Sequence, residues 1–289
     1  MVRGVHCVLF ALWDEAERAD RALMRRQAEW VRGVRADGIV TLGLATEVAK
    51  LSLVEKLEMI GWAAEDRGDL PLAVTVAANS VAEQRLILRA AEAAGASLAI
   101  LQPPLAGAFG AAEYVDHFAR VGEGAALPLA VQNAPQFLGR ALSGEDLGRL
   151  AARIPLAAVK AEMPAVDLPA LMAALPPGVA LLNGRGGLEM TDALRAGASG
   201  FIVAPDVLGG VLRCHRAWER GDEAAAERAY AAFLPAATFG MQSLEHLACY
   251  GKRVWAGPLG LEVHDRAPAL RPSELGLRLA ARWASQPRA

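Results

Sequence analysis

Of the 30 basic residues in this 289-residue chain, only four are lysines: Lys50, Lys56, Lys160 and Lys252. Lys160 is the one placed for chemistry. It ends the run Ile154-Pro155-Leu156-Ala157-Ala158-Val159-Lys160, which is otherwise apolar. A desolvated lysine amine can lose its proton and then attack a carbonyl carbon to form a Schiff base, which a guanidinium cannot do. The competing reading is structural, an ammonium at a strand end paired with Glu162, which strand parity puts on the same side. On the residues alone the two readings weigh evenly. A carboxylate this close favours the ammonium, so attack by Lys160 requires Glu162 to be displaced or protonated.

Three other short motifs fall where strands should end. In Gln132-Asn133-Ala134-Pro135, the amides can hydrogen-bond a carboxylate or carbinolamine but cannot transfer protons, and Asn with Pro also suits a plain turn. Gly43-Leu44-Ala45-Thr46-Glu47 offers backbone N–H groups ahead of a helix, a setting that holds anions. Thr46 or Glu47 there also reads as a helix cap. Asn183-Gly184-Arg185-Gly186-Gly187 places an arginine among glycines, as a clamp for carboxylate or phosphate or as a tight turn with a solvated Arg185. The five histidines show no metal-ligand spacing, so no metal is expected, and His6 reads as a core residue. No G-x-S-x-G motif occurs.

These residues need strand ends to stand on. Short apolar runs near 5–11, 38–43, 71–77, 97–102, 127–132, 156–160, 178–182 and 199–204 read as strands buried on both faces, as in parallel sheets. Amphipathic segments near 20–35, 51–67, 81–94, 111–121, 143–153, 166–174 and 187–196 read as the helices between them. Ala36-Asp37-Gly38, Ala94-Gly95-Ala96 and Ala196-Gly197-Ala198 each read as a helix stopping at glycine before the next strand. Eight such units predict a (β/α)8 TIM barrel, α/β class, over residues 1–205. Helices near 206–220, 223–247 and 273–285 predict a C-terminal helical region over 206–289. A doubly wound open sheet is disfavoured, because no GxGxxG follows the first strand. In this frame Lys160 ends the sixth strand, and Ile202 lies on the eighth as a further candidate to line the site. Lys50 and Lys56 read as surface cations and Lys252 as a loop residue.

Composition narrows the function. Hydrophobic residues make up 54 % and charged residues 21 % of the chain, which excludes a disordered or fibrous protein. The net charge of -2 leaves no basic footprint for nucleic acid. Cys7, Cys214 and Cys249, odd in number and widely spaced, fit a reducing cytoplasm. No apolar run reaches the ~18 residues of a membrane span. The expectation is a soluble cytoplasmic protein acting on a small molecule.

With these residues in order, the chain resembles the dihydrodipicolinate synthase / N-acetylneuraminate lyase superfamily of class I aldolases. The resemblance runs through Gly43-Leu-Ala-Thr-Glu47, Ala78-Asn79-Ser80, Pro103-Pro104, Asn133-Ala134-Pro135, Lys160, Gly184 and Gly197-Ala198-Ser199-Gly200. It implies a barrel, an imine between Lys160 and a 2-oxo acid such as pyruvate with no separate cofactor, and a homotetramer or homodimer. Substrate contacts are expected from Gly43, Leu44, Ala45, Thr46, Asn133, Phe137, Gly184, Arg185 and Ile202, with Gln132 and Glu162 beside Lys160.

The departures from the family pattern are informative. Where the family usually reads Gly-Thr-Thr-Gly-Glu or Gly-Ser-Thr-Gly-Glu, Leu44 and Ala45 remove both hydroxyls. Each such hydrogen bond to a charged group is worth roughly 1.5–3 kcal/mol. Gln132 stands where the family has a proton-transferring tyrosine, a group worth about 10²–10⁴-fold. Phe137 replaces the arginine of the synthases, and Leu105 and Ala106 stand where a tyrosine is expected. A divergent lyase, either aldolase or dehydratase, with a less polar or differently held carbonyl substrate is therefore expected, with Glu47, Glu162 or a substrate carboxylate supplying proton transfer. The alternatives are a catalytically degenerate barrel that binds a small molecule, and a phosphate-handling enzyme using Arg185.

Overall fold

The computed structural model describes residues 2–284. Eight strands, β1 (Gly4–Val8), β2 (Gly38–Thr41), β3 (Leu72–Val76), β4 (Leu98–Leu101), β5 (Leu129–Asn133), β6 (Leu156–Ala161), β7 (Ala180–Asn183) and β8 (Gly200–Val203), form one closed barrel. Each pairs in parallel with the next, and β8 returns to β1 with His6 opposite Ile202. Apart from Ala157, every strand residue is buried, as a sheet covered on both faces requires.

Helices α1 (Arg21–Gly33), α2 (Leu53–Asp66), α3 (Val81–Ala93) and α4 (Ala111–Gly122) follow the first four strands. The short α5 (Pro135–Leu138) and then α6 (Gly144–Ala151) follow β5, and α7 (Leu168–Ala174) and α8 (Met190–Arg195) follow β6 and β7. Their starts are written locally. Asp20 accepts from the amides of Ala22 and Leu23, and Ser52 with Glu55 and Ser143 with Asp146 form reciprocal capping boxes. A cap of this kind is typically worth ~1 kcal/mol.

Two of the three expected glycine stops hold: Gly95 and Gly197 take φ of +66° and +93°. At the first joint the left-handed position falls instead to Arg35, φ +60°. Gly38 opens β2, where a Cβ would lie 2.3 Å from His6 Nδ1. His6 is buried with Nε2 2.9 Å from the Arg3 carbonyl, and burial lowers its pKa.

The chain continues through α9 (Leu208–Glu219) and α10 (Glu223–Gly240). The single helix expected over 223–247 breaks after Gly240, and Ser243 caps a new turn by accepting from the His246 amide. That turn, α11 (Leu244–His246), runs through a π turn at Leu247–Gly251 into α12 (Lys252–Ala256); α13 (Glu274–Ala284) follows later. Lys252 thus lies on a helix, fully buried, and the loop expectation is corrected. Trp255 of α12 is also fully buried and meets Trp30 of α1 edge-on, ring centroids 6.0 Å apart, which seats this segment against the barrel's helical layer. Among the described residues no helix is long and apolar enough to cross a membrane.

Two glycines should respond to substitution in opposite ways. A Cβ on Gly200 would lie 2.5 Å from the Gly4 carbonyl oxygen on the neighbouring strand, whereas one on Gly61, within α2, meets nothing within 4 Å. In urea unfolding, Gly200→Val is expected to lose about 1–3 kcal/mol through overpacking. Gly61→Ala is expected to gain roughly 0.5–1 kcal/mol through helix propensity.

Candidate active site

The site is built on the end of β6. The Glu162 amide donates to the Asn133 carbonyl at 2.9 Å, so the ladder with β5 extends one residue past the strand. The pleat then sends Lys160 and Glu162 to the same side. Lys160 Nζ lies 3.2 Å from Glu162 Oε1, and both side chains are only 7 % exposed. The β5–β6 register puts Gln132 opposite Lys160, and Gln132 Nε2 donates to Glu162 Oε2 at 2.7 Å. A carboxylate only accepts, so the amide nitrogen must face it, and Gln132 Oε1 is left as a buried acceptor with no protein donor.

Glycine makes room for the carboxylate. A Cβ on Gly184 would lie 2.5 Å from Glu162 Oε1 and 2.7 Å from its Cγ. The next residue, Arg185, takes φ +54° and pairs with Glu189, while its Nε is buried with no acceptor. A cavity of about 40 Å³ opens over Lys160, walled by Leu44, Ala45, Phe137, Glu162, Arg185 and Ile202 among others. Leu44 and Ala45 begin the 3-10 turn Leu44–Thr46, so their amides lie outside its own ladder.

Other expected contacts are spent on architecture. Thr46 Oγ1 donates to the Leu9 carbonyl at 2.6 Å, fastening the turn to the segment just past β1. Gly43 packs on Val8, whose Cγ2 would lie 2.6 Å from a Cβ there. Asn133 is engaged at both ends: it donates to the Leu142 carbonyl at 2.9 Å and accepts from the Leu142 amide at 2.8 Å. Its carboxamide therefore braces the loop after β5, away from Lys160.

Glu47 pairs with both Lys252 and Lys50 and accepts from Trp13 Nε1 at 3.3 Å. It neither caps α2, a role filled by Ser52, nor borders the cavity over Lys160. The remaining lysines depart from the surface reading. Lys56 is buried, donating to the Ala77 carbonyl at 3.0 Å and pairing with Glu83 at 3.2 Å, and Lys50 is largely enclosed.

Residues 1–243 match the model of the dihydrodipicolinate synthetase family. The chain belongs to this family. Among its relatives, the 4-hydroxy-tetrahydrodipicolinate synthase of Methanococcoides burtonii is 28 % identical over 151 residues, 52 % of each chain. The N-acetylneuraminate lyase of an Escherichia coli strain is 27 % identical over 151 residues, 52 % of this chain and 51 % of that one. This chain thus spans about half the length of these curated relatives. In structure it is similar to a prophage protein of the dihydrodipicolinic acid synthase family from Escherichia coli K12, solved in complex with pyruvate. There the TM-score is 0.88 at 18 % identity, covering 98 % of both chains.

Against this family background, several wall residues were not foreseen from sequence: Val8, Asp206, Met241, Leu244 and Leu247. Asp206, just past β8, was findable, because the strand-end rule that picks out Lys160 applies to it equally. The last three come from the C-terminal helices, whose contact with the barrel mouth leaves no local pattern.

The Glu47 cluster should show in acid. Burial pushes the Glu47 carboxyl up, but the Lys252 and Lys50 ammonium groups pull harder and hold it below the ordinary glutamate value. A depressed carboxyl contributes stability that is present above its unfolded pKa and lost as pH falls through the folded one. Unfolding free energy, measured by urea titration, is therefore expected to decline from the ordinary carboxylate range downward, and Glu47→Gln to flatten that decline.

Proposed function

We propose that this chain is a Schiff-base-forming lyase, an aldolase or dehydratase, acting on a 2-oxo acid through Lys160. One observation carries the reading: a buried lysine at the end of β6 with its ammonium 3.2 Å from a buried carboxylate that a second side chain holds in place. Membership of the dihydrodipicolinate synthetase family, and a structural likeness to a family protein complexed with pyruvate, support it.

Imine formation moves two protons from nitrogen to the departing oxygen, and in this reading Glu162 carries one of them. Its carboxylate takes a proton from the Lys160 ammonium, and the neutral amine adds to the carbonyl carbon while one of its own N–H protons passes to the carbonyl oxygen, giving the carbinolamine. The protonated acid then gives its proton to the carbinolamine hydroxyl, which leaves as water and leaves the iminium. The iminium nitrogen next accepts the electron pair of the bond that breaks, C–H or C–C, giving an enamine, and protonation at carbon with hydrolysis restores the free amine. The imine itself needs no separate cofactor.

Gln132 cannot replace a phenol in moving protons. It orients Glu162 through Nε2 and presents Oε1 to a hydroxyl of the substrate or carbinolamine. Arg185 and the amides of Leu44 and Ala45 take the substrate carboxylate in place of the hydroxyls this chain lacks.

Borohydride reduction in the presence of pyruvate, followed by peptide mass analysis, is expected to label Lys160. Lys160→Ala should abolish the label, and absence of any adduct in folded protein would defeat the reading. Exchange of the pyruvate methyl protons with deuterium, followed by NMR, reports enamine formation. Glu162→Gln is expected to slow it by about 10²–10⁴-fold.

A further inference from the structure

The small cavity over Lys160 has a larger, partly open neighbour. Leu44, Phe137 and Leu244 also border a second cavity of about 190 Å³, lying between the β2 turn, the loop after β5 and the C-terminal segment. The remaining wall includes Leu138, Ala248 and Leu270. Its volume exceeds the ~150 Å³ of a cavity that accepts benzene, so this chamber has room for an aromatic ring or a branched alkyl chain.

Its charges argue against a second anionic group. The charged wall residues are Glu47, Lys50, Glu245 and Asp265. Lys50, the cation of the set, is held by Glu47 and by the Arg266 carbonyl at 3.0 Å, and Asp265 is held by Arg253 at 2.7 Å. Glu47 and Asp265 are already matched by Lys50, Lys252 and Arg253, so the wall offers an incoming carboxylate or phosphate no free cation.

From this geometry we infer that the substrate is a 2-oxo acid bearing an uncharged apolar arm, with its keto carbon at Lys160 and the arm in the chamber beyond Leu44 and Phe137. The inference rests on the imine reading for the position of the keto carbon, whereas the chamber's preference for an apolar group stands on its own lining. The two cavities divide the work. The inner one, about 40 Å³, fits the oxo-acid head, and the outer one, about 190 Å³, selects what is attached to it.

The test compares pyruvate with a phenyl-substituted 2-oxobutanoate in borohydride trapping, read as the concentration giving half-maximal labelling of the Lys160 peptide. The phenyl compound is expected to label at a concentration lower by about tenfold or more, the order of effect for a few buried apolar carbons. Leu270→Asp, which puts a charge on the chamber wall, and Ala248→Phe, which fills it, should each collapse that ratio. A separate calorimetric titration uses phenylbutanoate, which has no keto group, with Lys160→Ala protein. Binding is expected there, weakened by Leu270→Asp.

Pyruvate labelling without a phenyl advantage would overturn the chamber assignment and leave the imine intact, as would an advantage that survives both wall variants. Phenylbutanoate binding without labelling by either oxo acid would overturn the imine and leave the chamber. If neither labelling nor binding occurs, both fall.

Discussion

A lysine and a glutamate 3.2 Å apart, each almost closed to water, set the terms for the rest of this site. Removing two such charges from solvent costs several kcal/mol per ion, and their attraction offsets that cost only when geometry and further hydrogen bonds are right. The surroundings meet this demand. Gln132 satisfies the far oxygen of Glu162, and Gly184 clears the ground on which the carboxylate lies. The β5–β6 register brings Gln132 level with Lys160. Gln132 holds, and Gly184 makes room for, the carboxylate beside Lys160.

A second buried ion pair joins the barrel to its C-terminal helices. Lys252 is fully buried against Glu47 and lies 5.7 Å from the centre of the Trp13 ring, with Arg266 4.7 Å from the same ring. Burial lowers the Lys252 pKa even though Glu47 attracts the proton. The β2 turn that forms one wall of the cavity over Lys160 is thus tied to the segment that supplies Met241, Leu244 and Leu247 on the other. The C-terminal region is part of the site rather than a cap on it.

The sequence made the barrel legible because parallel strands covered on both faces read as short apolar runs, and it made Lys160 and Glu162 legible because parity along a strand is local. The alignment of Gln132 with Lys160 follows once the strands are paired in order. The bracing of the loop after β5 by Asn133 is not legible in the same way, because its partner, Leu142, lies in a loop whose path no periodicity predicts. Lys252 was misplaced for a similar reason: its partner Glu47 is 205 positions away. Pairs of that kind are decided by how helices pack, which local sequence does not record.

Three of the four lysines, Lys56, Lys160 and Lys252, are buried, and Lys50 is 20 % exposed along its side chain. Arginine carries most of the surface's positive charge, and its guanidinium does not condense with ordinary aldehydes and ketones as an amine does. A folded molecule with this distribution offers a passing sugar or aldehyde few exposed lysine amines on which to settle. Chemical labels aimed at amines, and the slow glycation that ages other proteins, should therefore reach the side chains of this one sparingly.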